Sequence, residues 1–403
     1  MGQSKEFRMK ALARSPRFAY LSDTDRHLMA LPSPTYRINL IGSGMIGQEH
    51  IHMTHLEGRA TIHGVYDPSP LSVAGARAAH SEWSGEELVV YDSLEAACND
   101  PAADALIIAT PNYTHLDVLE VAVRSGKHIL LEKPIATTLQ SAARITEIAE
   151  SYEPVLQVGL QYRYKPFVVE AIHEVLERGS IGQLQMMSMQ EHRFPFLDKV
   201  KQWNKFAQYS GDTLIEKCCH YFDLLNLFAQ SRPCRVYASG SQAVNFRDFE
   251  YEGRKADILD NAFVVIDYEN GVRANFSLCM FAPMLAEELV LCGDQGRLRG
   301  GEQIDFAGDG KQDTYLEIMV GEQQPSRRTE PSYPSWIQNS GHSGATYYEH
   351  MYFIDNIEGK TTSTASAREG LWSIIVAAAA QESIKRCEAV DINAFLQEAG
   401  VRA

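Results

Sequence analysis

Twelve residues, Tyr36 to Gly47, constrain this chain more than any others: an apolar run through Ile38 and Leu40 to Ile41 leads into Gly42-x-Gly44-x-x-Gly47, and a helical pattern follows. In a strand–turn–helix unit the first glycine permits the tight turn, the second lets a pyrophosphate reach the backbone, and the third lets the helix pack on the strand. The helix N-terminus then offers free N–H groups and a positive dipole end to the phosphates. A second strand, Thr61 to Tyr66, ends at Asp67, at the spacing of roughly 20 residues expected of an acid that binds an adenosine ribose. Pro68 and Ser69 follow it, with no arginine to meet a 2′-phosphate, which favours NAD over NADP. The competing explanation is an ordinary strand-to-helix turn with an unrelated acid.

Strand and helix patterns go on alternating. Leu71 to His80 reads helical, Glu87 to Tyr91 extended, and Asp92-Ser93 as a helix start. Ala105 to Ala109 is a short apolar run ending in Thr110-Pro111-Asn112, as a buried parallel strand delivers a loop to a sheet's carboxyl edge. Thr114 to Ser125 reads helical and stops at Gly126; His128 to Leu131 is another buried strand, running into Glu132-Lys133-Pro134. This alternation predicts a doubly wound parallel sheet.

The pattern changes near Pro154. Leu184 to Gln190 alternates apolar and polar residues, and Asn270-Gly271 between Ala262–Tyr268 and Val272–Cys279 is a hairpin signal. A second domain of α+β type is expected, with an open, mostly antiparallel sheet. Glu317 to Gly344 reads as a long loop, and two helices, Thr346 to Ile357 and Ala365 to Arg386, close the chain. The expected organisation is an N-terminal arm over 1–34, a nucleotide-binding domain over 35–154 and a substrate and oligomerisation domain over 155–403.

Bulk properties exclude several classes. Lys+Arg 37 against Asp+Glu 52 gives a net charge of −15, which disfavours nucleic acid and anionic membrane as partners. Seven scattered cysteines, without Cys-x-x-Cys, indicate neither a disulfide framework nor a zinc site, and a reducing cytoplasm is the expected home. There is no run of about 18 apolar residues to span a membrane. The arm is basic and lacks the apolar stretch of a secretion signal, and Glu6 stands where a myristoylation site needs Ser or Thr.

Five motifs occur in order: the Gly42 fingerprint, Thr110-Pro111-Asn112 with His115, Glu132-Lys133-Pro134, Tyr162-Arg163 with Pro166, and Glu216-x-x-x-His220. Together they resemble the glucose-fructose oxidoreductase, inositol dehydrogenase and rhizopine-catabolism (Gfo/Idh/MocA) family over roughly residues 36 to 385. The resemblance implies a Rossmann domain followed by an α/β domain that forms dimers or tetramers. It also implies that Gly42, Gly44, Met45, Ile46, Gly47, Asp67, Thr110, Asn112, His115, Glu132 and Lys133 bind NAD. Many family members carry Asp four residues before the histidine, whereas this chain reads Glu216-Lys217-Cys218-Cys219-His220. A longer acid and an added cation alter the pocket.

Moving hydride from a carbinol carbon requires loss of the hydroxyl proton, and therefore a base within hydrogen-bond reach. Lys133 and His220 are the candidates, with Glu216 orienting His220 or binding a neighbouring hydroxyl. The blander alternatives are a solvated lysine after a strand and a core histidine paired with Asp223. His50, His52 and His55, with Glu49, invite a metal reading, but packing roles are expected and no metal is called for; Cys218 and Cys219 are expected to be small buried residues. From Glu191 to Asn204 the chain combines cations with aromatics. Aromatic faces suit sugar rings, and clustered Lys and Arg suit a carboxylate, phosphate or sulfonate. Arg193, Lys199, Trp203, Asn204 and Lys217, with Arg163 and His342, make the candidate substrate set; a solvated loop is the alternative.

The expected function is therefore hydride transfer from a ring hydroxyl of a small-molecule carbohydrate, glycoside or cyclitol, anionic in one version, to NAD. Phe194-Pro195-Phe196-Leu197-x-Lys199-Val200 and Trp203-Asn204, upstream of Glu216 to His220, resemble the NAD-dependent sulfoquinovosidase branch. That resemblance implies a redox-neutral glycosidase, which oxidises, eliminates, adds water and returns the hydride. The family also includes NAD-sensing repressors, a non-catalytic alternative that the presence of Lys133 and His220 argues against.

Overall fold

The computed structural model describes residues 33–305, 312–361 and 365–402. The arm expected over 1–34 lies, but for its last two residues, outside them. The described chain forms two compact units that interleave in sequence. The first holds the described residues up to Glu132, with Ser151–Tyr164 and Tyr333–Ala365; the second holds Lys133–Glu150, Lys165–Ser332 and the described residues from Ser366 on.

In the first unit β1 (Tyr36–Ile41), β2 (Ala60–Tyr66), β3 (Val89–Val90), β4 (Ala105–Ile108), β5 (His128–Glu132) and β6 (Leu156–Gly159) form one sheet in the order β3-β2-β1-β4-β5-β6, every pair parallel. This is the Rossmann order. All four residues of β4 are fully buried, as a parallel strand covered on both faces requires. Gly42 donates its N–H to the Tyr66 carbonyl at 2.8 Å and Ala109 to the Ile41 carbonyl at 2.8 Å. The carboxyl ends of β1, β2 and β4 are thereby levelled along one edge. Helices Met45–Glu57, Pro70–Ser81, Leu94–Asn99 and His115–Ala122 join the strands, the second and third capped by the hydroxyls of Ser69 and Ser93.

Helix Ala345–Ile357, far along the chain, completes this core. Its Phe353 and Ile354 are buried with Ile38, Leu40, Ile51 and Ile107. Burying such a side chain stabilises by about 1.5–3 kcal/mol. Arg59 fastens the same helix, donating from Nη1 to Asp355 at 2.6 Å and Glu358 at 2.9 Å.

The second unit is built on β7 (Leu184–His192), β8 (Pro233–Ser241), the small pair β9 (Glu250–Tyr251) and β10 (Arg254–Lys255), then β11 (Asn261–Tyr268), β12 (Arg273–Cys279), β13 (Leu285–Gly293), β14 (Gly296–Ile304), β15 (Gln312–Val320), β16 (Arg327–Thr329) and β17 (Val390–Asp391). Among the described residues the large sheet runs β16-β15-β14-β13-β7-β12-β11-β8-β17, antiparallel except for β7 with β12. Gly271, at φ 87°, turns the expected hairpin between β11 and β12. Ala262, Val264, Ile266 and Tyr268 of β11 are buried, while Phe263 and Val265 face outward. Helices Cys219–Ala229 and Ala367–Arg386 pack together, and the latter lies on β8. It begins in a capping box between Ser366 and Glu369.

Three expectations need correction. The segment 317–344 is not one long loop: Glu317 to Val320 ends β15, Arg327–Thr329 pairs with that strand, and Ser335–Gln338 is a helical turn. β16 is wholly exposed, so only backbone pairing reveals it, and a four-residue helix is too short to show a period. Two helices do not close the chain, because β17 and helix Ile392–Ala399 follow, the helix capped by Asp391 accepting from Ala394 N–H at 2.8 Å. Of the strand expected over 87–91, only Val89–Val90 pairs.

Candidate functional site

Within the first unit the glycine turn has the shape a pyrophosphate needs. A Cβ on Gly42, at φ 91°, would stand 2.7 Å from the Ala109 carbonyl oxygen, and one on Gly47 2.3 Å from that of Gly42. A Cβ on Gly44 would meet nothing within 4 Å. Two glycines are thus demanded by packing, and the middle one opens onto free space, as a phosphate-binding turn requires. Met45, half exposed, and Ile46 begin the helix.

Asp67 lies at the end of β2 and braces the turn: Oδ2 accepts from Ser43 N–H at 2.8 Å and Oδ1 from Ser69 N–H at 2.8 Å. Thr110 follows β4, its carbonyl bonded to His115 Nε2 at 3.0 Å and its hydroxyl to that of Thr114 at 2.8 Å. Asn112 is buried in the turn between them, and Glu132 is buried at the end of β5. The expected cofactor residues of this unit therefore all come from the glycine turn and helix after β1 and from the carboxyl ends of β2, β4 and β5. Lys133 begins the second unit.

In that unit Lys133 Nζ donates to the Glu216 backbone carbonyl at 3.2 Å. Glu216 ends helix Thr213–Glu216, and its Oε1 accepts from Lys199 Nζ at 2.8 Å. Asp212, immediately before this helix, has φ 68° and ψ 168°, a region nearly reserved for glycine. Its Oδ1 holds the N–H groups of Thr213 at 2.6 Å and Leu259 at 2.7 Å. Burial, outweighing these bonds, pushes its carboxyl up to about 6. Lys217, Cys218, Cys219 and His220 are all buried. Burial drives the Cys219 thiol up to about 12 and Cys218 well above the usual thiol range, so both are inert packing residues at neutral pH.

The basic aromatic segment is part solvated, with Leu197, Asp198, Val200 and Lys201 exposed, and part packed. Lys199 Nζ stands 4.4 Å from the centre of the Trp203 ring, and Asn204 is fully buried, donating to the Leu197 carbonyl at 3.0 Å. Lys201 and Gln202 both take left-handed φ of 54°, at a cost of about 1–2 kcal/mol each. Buried Glu191 stands between two cations, Lys217 at 3.2 Å and Arg193 at 3.5 Å. Arg163 and His342 belong to the first unit, where His342 Nδ1 bonds Glu49 Oε1 at 2.7 Å.

A buried charge network was not anticipated. Lys165 Nζ donates to Glu287 Oε2 at 2.5 Å and Glu302 Oε1 at 2.6 Å, and Tyr221 donates its O–H to Glu287 Oε1 at 2.8 Å. Burial works against the charged form of Glu287, but Lys165 and Lys217 prevail and hold its carboxyl below the usual range. Strand parity carried the signal: Glu287 shares a face with buried Leu289 and Leu291, and Glu302 with Leu298.

His52 and His55 take packing roles. His52 accepts from Trp83 Nε1–H at 2.7 Å, and His55 bonds His80 at 3.3 Å. No described helix is long and apolar enough to cross a membrane.

Comparison with known proteins agrees with this architecture. Residues 36–160 match the oxidoreductase family's NAD-binding Rossmann fold, and 173–392 its C-terminal alpha/beta domain. An inositol 2-dehydrogenase of Rhizobium meliloti is 24% identical over 361 residues, covering 89% of this chain and 99% of that protein. One from Corynebacterium glutamicum is 28% identical over 276 residues, 67% of this chain and 75% of that one. Levoglucosan dehydrogenase in complex with NADH superposes with a TM-score of 0.74 at 19% identity, covering 89% and 99% of the two chains. With both domain families matched in order, a six-stranded Rossmann sheet and a turn shaped for a dinucleotide, this chain belongs to the NAD-dependent Gfo/Idh/MocA oxidoreductase family.

Proposed function

We propose that this protein oxidises a ring hydroxyl of a sugar, glycoside or cyclitol. The observation that carries this is the unit-two cluster in which Lys133 meets the Glu216 carbonyl, Glu216 holds Lys199, and Lys217 and His220 follow on the same short stretch. NAD, when bound, supplies the hydride acceptor. Lys133 or His220 takes the hydroxyl proton as the carbinol carbon gives up its hydride and becomes a carbonyl. Glu216 is acceptor-only while ionised, so it suits a neighbouring substrate hydroxyl. Lys199, Lys217 and Arg193 suit an anionic substituent, with Trp203 bounding the ring and Asn204, buried beneath the segment, holding the Leu197 carbonyl.

A redox-neutral glycosidase is the second reading. It is favoured by the supply of acid–base groups, Lys133, Lys199, Glu216 and His220, which exceeds what one proton transfer needs and suits elimination and water addition as well. An assay on a chromogenic glycoside separates the two. NADH absorbance rising in step with product means net oxidation; aglycone release without NADH accumulation means that the hydride returns. Neither signal on any sugar or cyclitol, with NAD still bound, would instead support the sensor.

We also propose self-association of this cytoplasmic enzyme, as a dimer or tetramer, through the outward face carrying Tyr237, Phe263 and Val265. Light scattering on Phe263→Glu tests it: a lower mass is expected, and a wild-type monomer would remove the idea.

A further inference from the structure

A buried line of hydrogen bonds runs through the first unit to the last residue of β5. Thr54 Oγ1 lies 3.3 Å from His350 Nδ1, His350 Nε2 lies 2.8 Å from His50 Nδ1, and His50 Nε2 lies 2.9 Å from Glu132 Oε1. All four residues are buried, both rings at 2% exposure or less. Thr54 and His50 share one helix turn, whereas His350 comes from a helix 300 residues along.

The direction of each bond follows from its ends. An ionised Glu132 can only accept, so His50 carries a proton on Nε2. Burying an imidazolium is costly, and one N–H per ring satisfies the line without it. His50 Nδ1 then accepts from His350 Nε2–H, and His350 Nδ1 accepts the Thr54 O–H. Burial and the neighbouring His50 also press His350 toward its neutral form. The Glu132 carboxyl group is confined from another side: a Cβ on Gly159 would lie 3.1 Å from its Cδ and 3.2 Å from Oε1.

We propose that Thr54, His350 and His50 are positioning residues, an oriented donor chain that holds the Glu132 carboxylate charged and fixed in rotation at the cofactor edge of β5. This rests on the reading of Glu132 as a cofactor-binding residue, and it adds two histidines and a threonine to that site. A buried metal is the rival use of the same groups, since His50, Glu349 and His350 offer ligand atoms within 4.8 Å of one another. The 2.8 Å nitrogen separation suits a shared proton better than a metal, because two nitrogens bound tetrahedrally at about 2.0–2.1 Å stand roughly 3.3 Å apart.

Nitrogen-15 NMR of the full chain labelled at histidine, with His50→Asn and His350→Asn for assignment, tests the orientation. Both rings are expected as neutral Nε2–H tautomers at pH 7.5. A proton on Nδ1 of either ring, or stoichiometric metal in protein purified without chelator, would overturn the chain as drawn. Positioning is read from NAD titration, which needs no sugar substrate and so stands apart from the proposed reaction. His350→Phe leaves His50 Nδ1 without its donor and is expected to raise the NAD Kd about fivefold, the worth of one neutral hydrogen bond. The near-isosteric Thr54→Val should raise it about twofold with the melting temperature unchanged, and Thr54→Ser should restore it. An unaltered Kd in folded His350→Phe and Thr54→Val would reduce the chain to packing.

Discussion

Lys199 Nζ donates to Glu216 Oε1 at 2.8 Å, so the lysine that the sequence offers to a substrate anion also holds the carboxylate beside the candidate base. Lys199→Met is expected to lower kcat/KM on an anionic sugar about ten- to a hundredfold, the worth of one charge-assisted bond. A neutral analogue should lose less than about threefold. Equal losses on both would assign Lys199 to holding Glu216 alone.

Lys133 and His220 are expected to act in chemistry rather than in cofactor affinity. Lys133→Ala should abolish measurable turnover, and His220→Ala should cost about 10²-fold or more. Isothermal titration should find NAD affinity within about threefold of wild type for both variants, because the cofactor is expected to be held chiefly by the Gly42 turn and Asp67 rather than by Lys133. Near-normal turnover in either folded variant removes that residue from the mechanism.

Gly44 and Gly47 separate cofactor binding from folding. Gly47→Ala forces a methyl to 2.3 Å from the Gly42 carbonyl oxygen and should destabilise by about 1–3 kcal/mol. Gly44→Ala meets no protein atom within 4 Å, so its denaturation midpoint should match wild type while NAD affinity falls about tenfold or more. Unchanged NAD affinity in Gly44→Ala would move the pyrophosphate elsewhere.

Lys165 is expected to be indispensable to the second unit. Lys165→Met leaves Glu287 and Glu302 buried without their shared cation, and breaking a buried pair costs about 3–5 kcal/mol. Urea denaturation checks the figure. A change below about 1 kcal/mol would mean that water or Tyr221 takes over the pairing.

His350 gives the fold an acid limit. Burial holds its imidazole well below the ordinary value, so below about pH 6.5 the unfolded chain takes up a proton that the folded chain refuses. This contribution to stability is undiminished above that pH and declines as pH falls. Melting temperatures between pH 7.5 and 5 should drop more steeply for wild type than for His350→Gln. Parallel curves would show that other groups set the limit.

Local signals sufficed at several turns whose structure is decided by neighbours in the chain. Gly42, Gly44 and Gly47 announce their turn because backbone conformation and close approach are properties of a few consecutive residues. Asn270-Gly271 announces its hairpin for the same reason, and the period of the apolar residues separates the parallel sheet from the mixed one. Long-range pairing carries no such mark. Nothing in Ala345–Ile357 says that its Phe353 and Ile354 complete a core begun at Ile38, or that its His350 meets His50. The exposed β16 is a strand only because β15 lies beside it. The same holds for charge: composition shows the cations from Arg193 to Lys217, but their partners Glu191 and Glu216 are chosen by the folded chain. The sequence by itself determined the cofactor fold and the residue types available for chemistry, because both follow from short-range rules. Only the tertiary structure decided which buried acid each cation serves, because desolvation makes pairing obligatory and leaves the choice of partner to geometry.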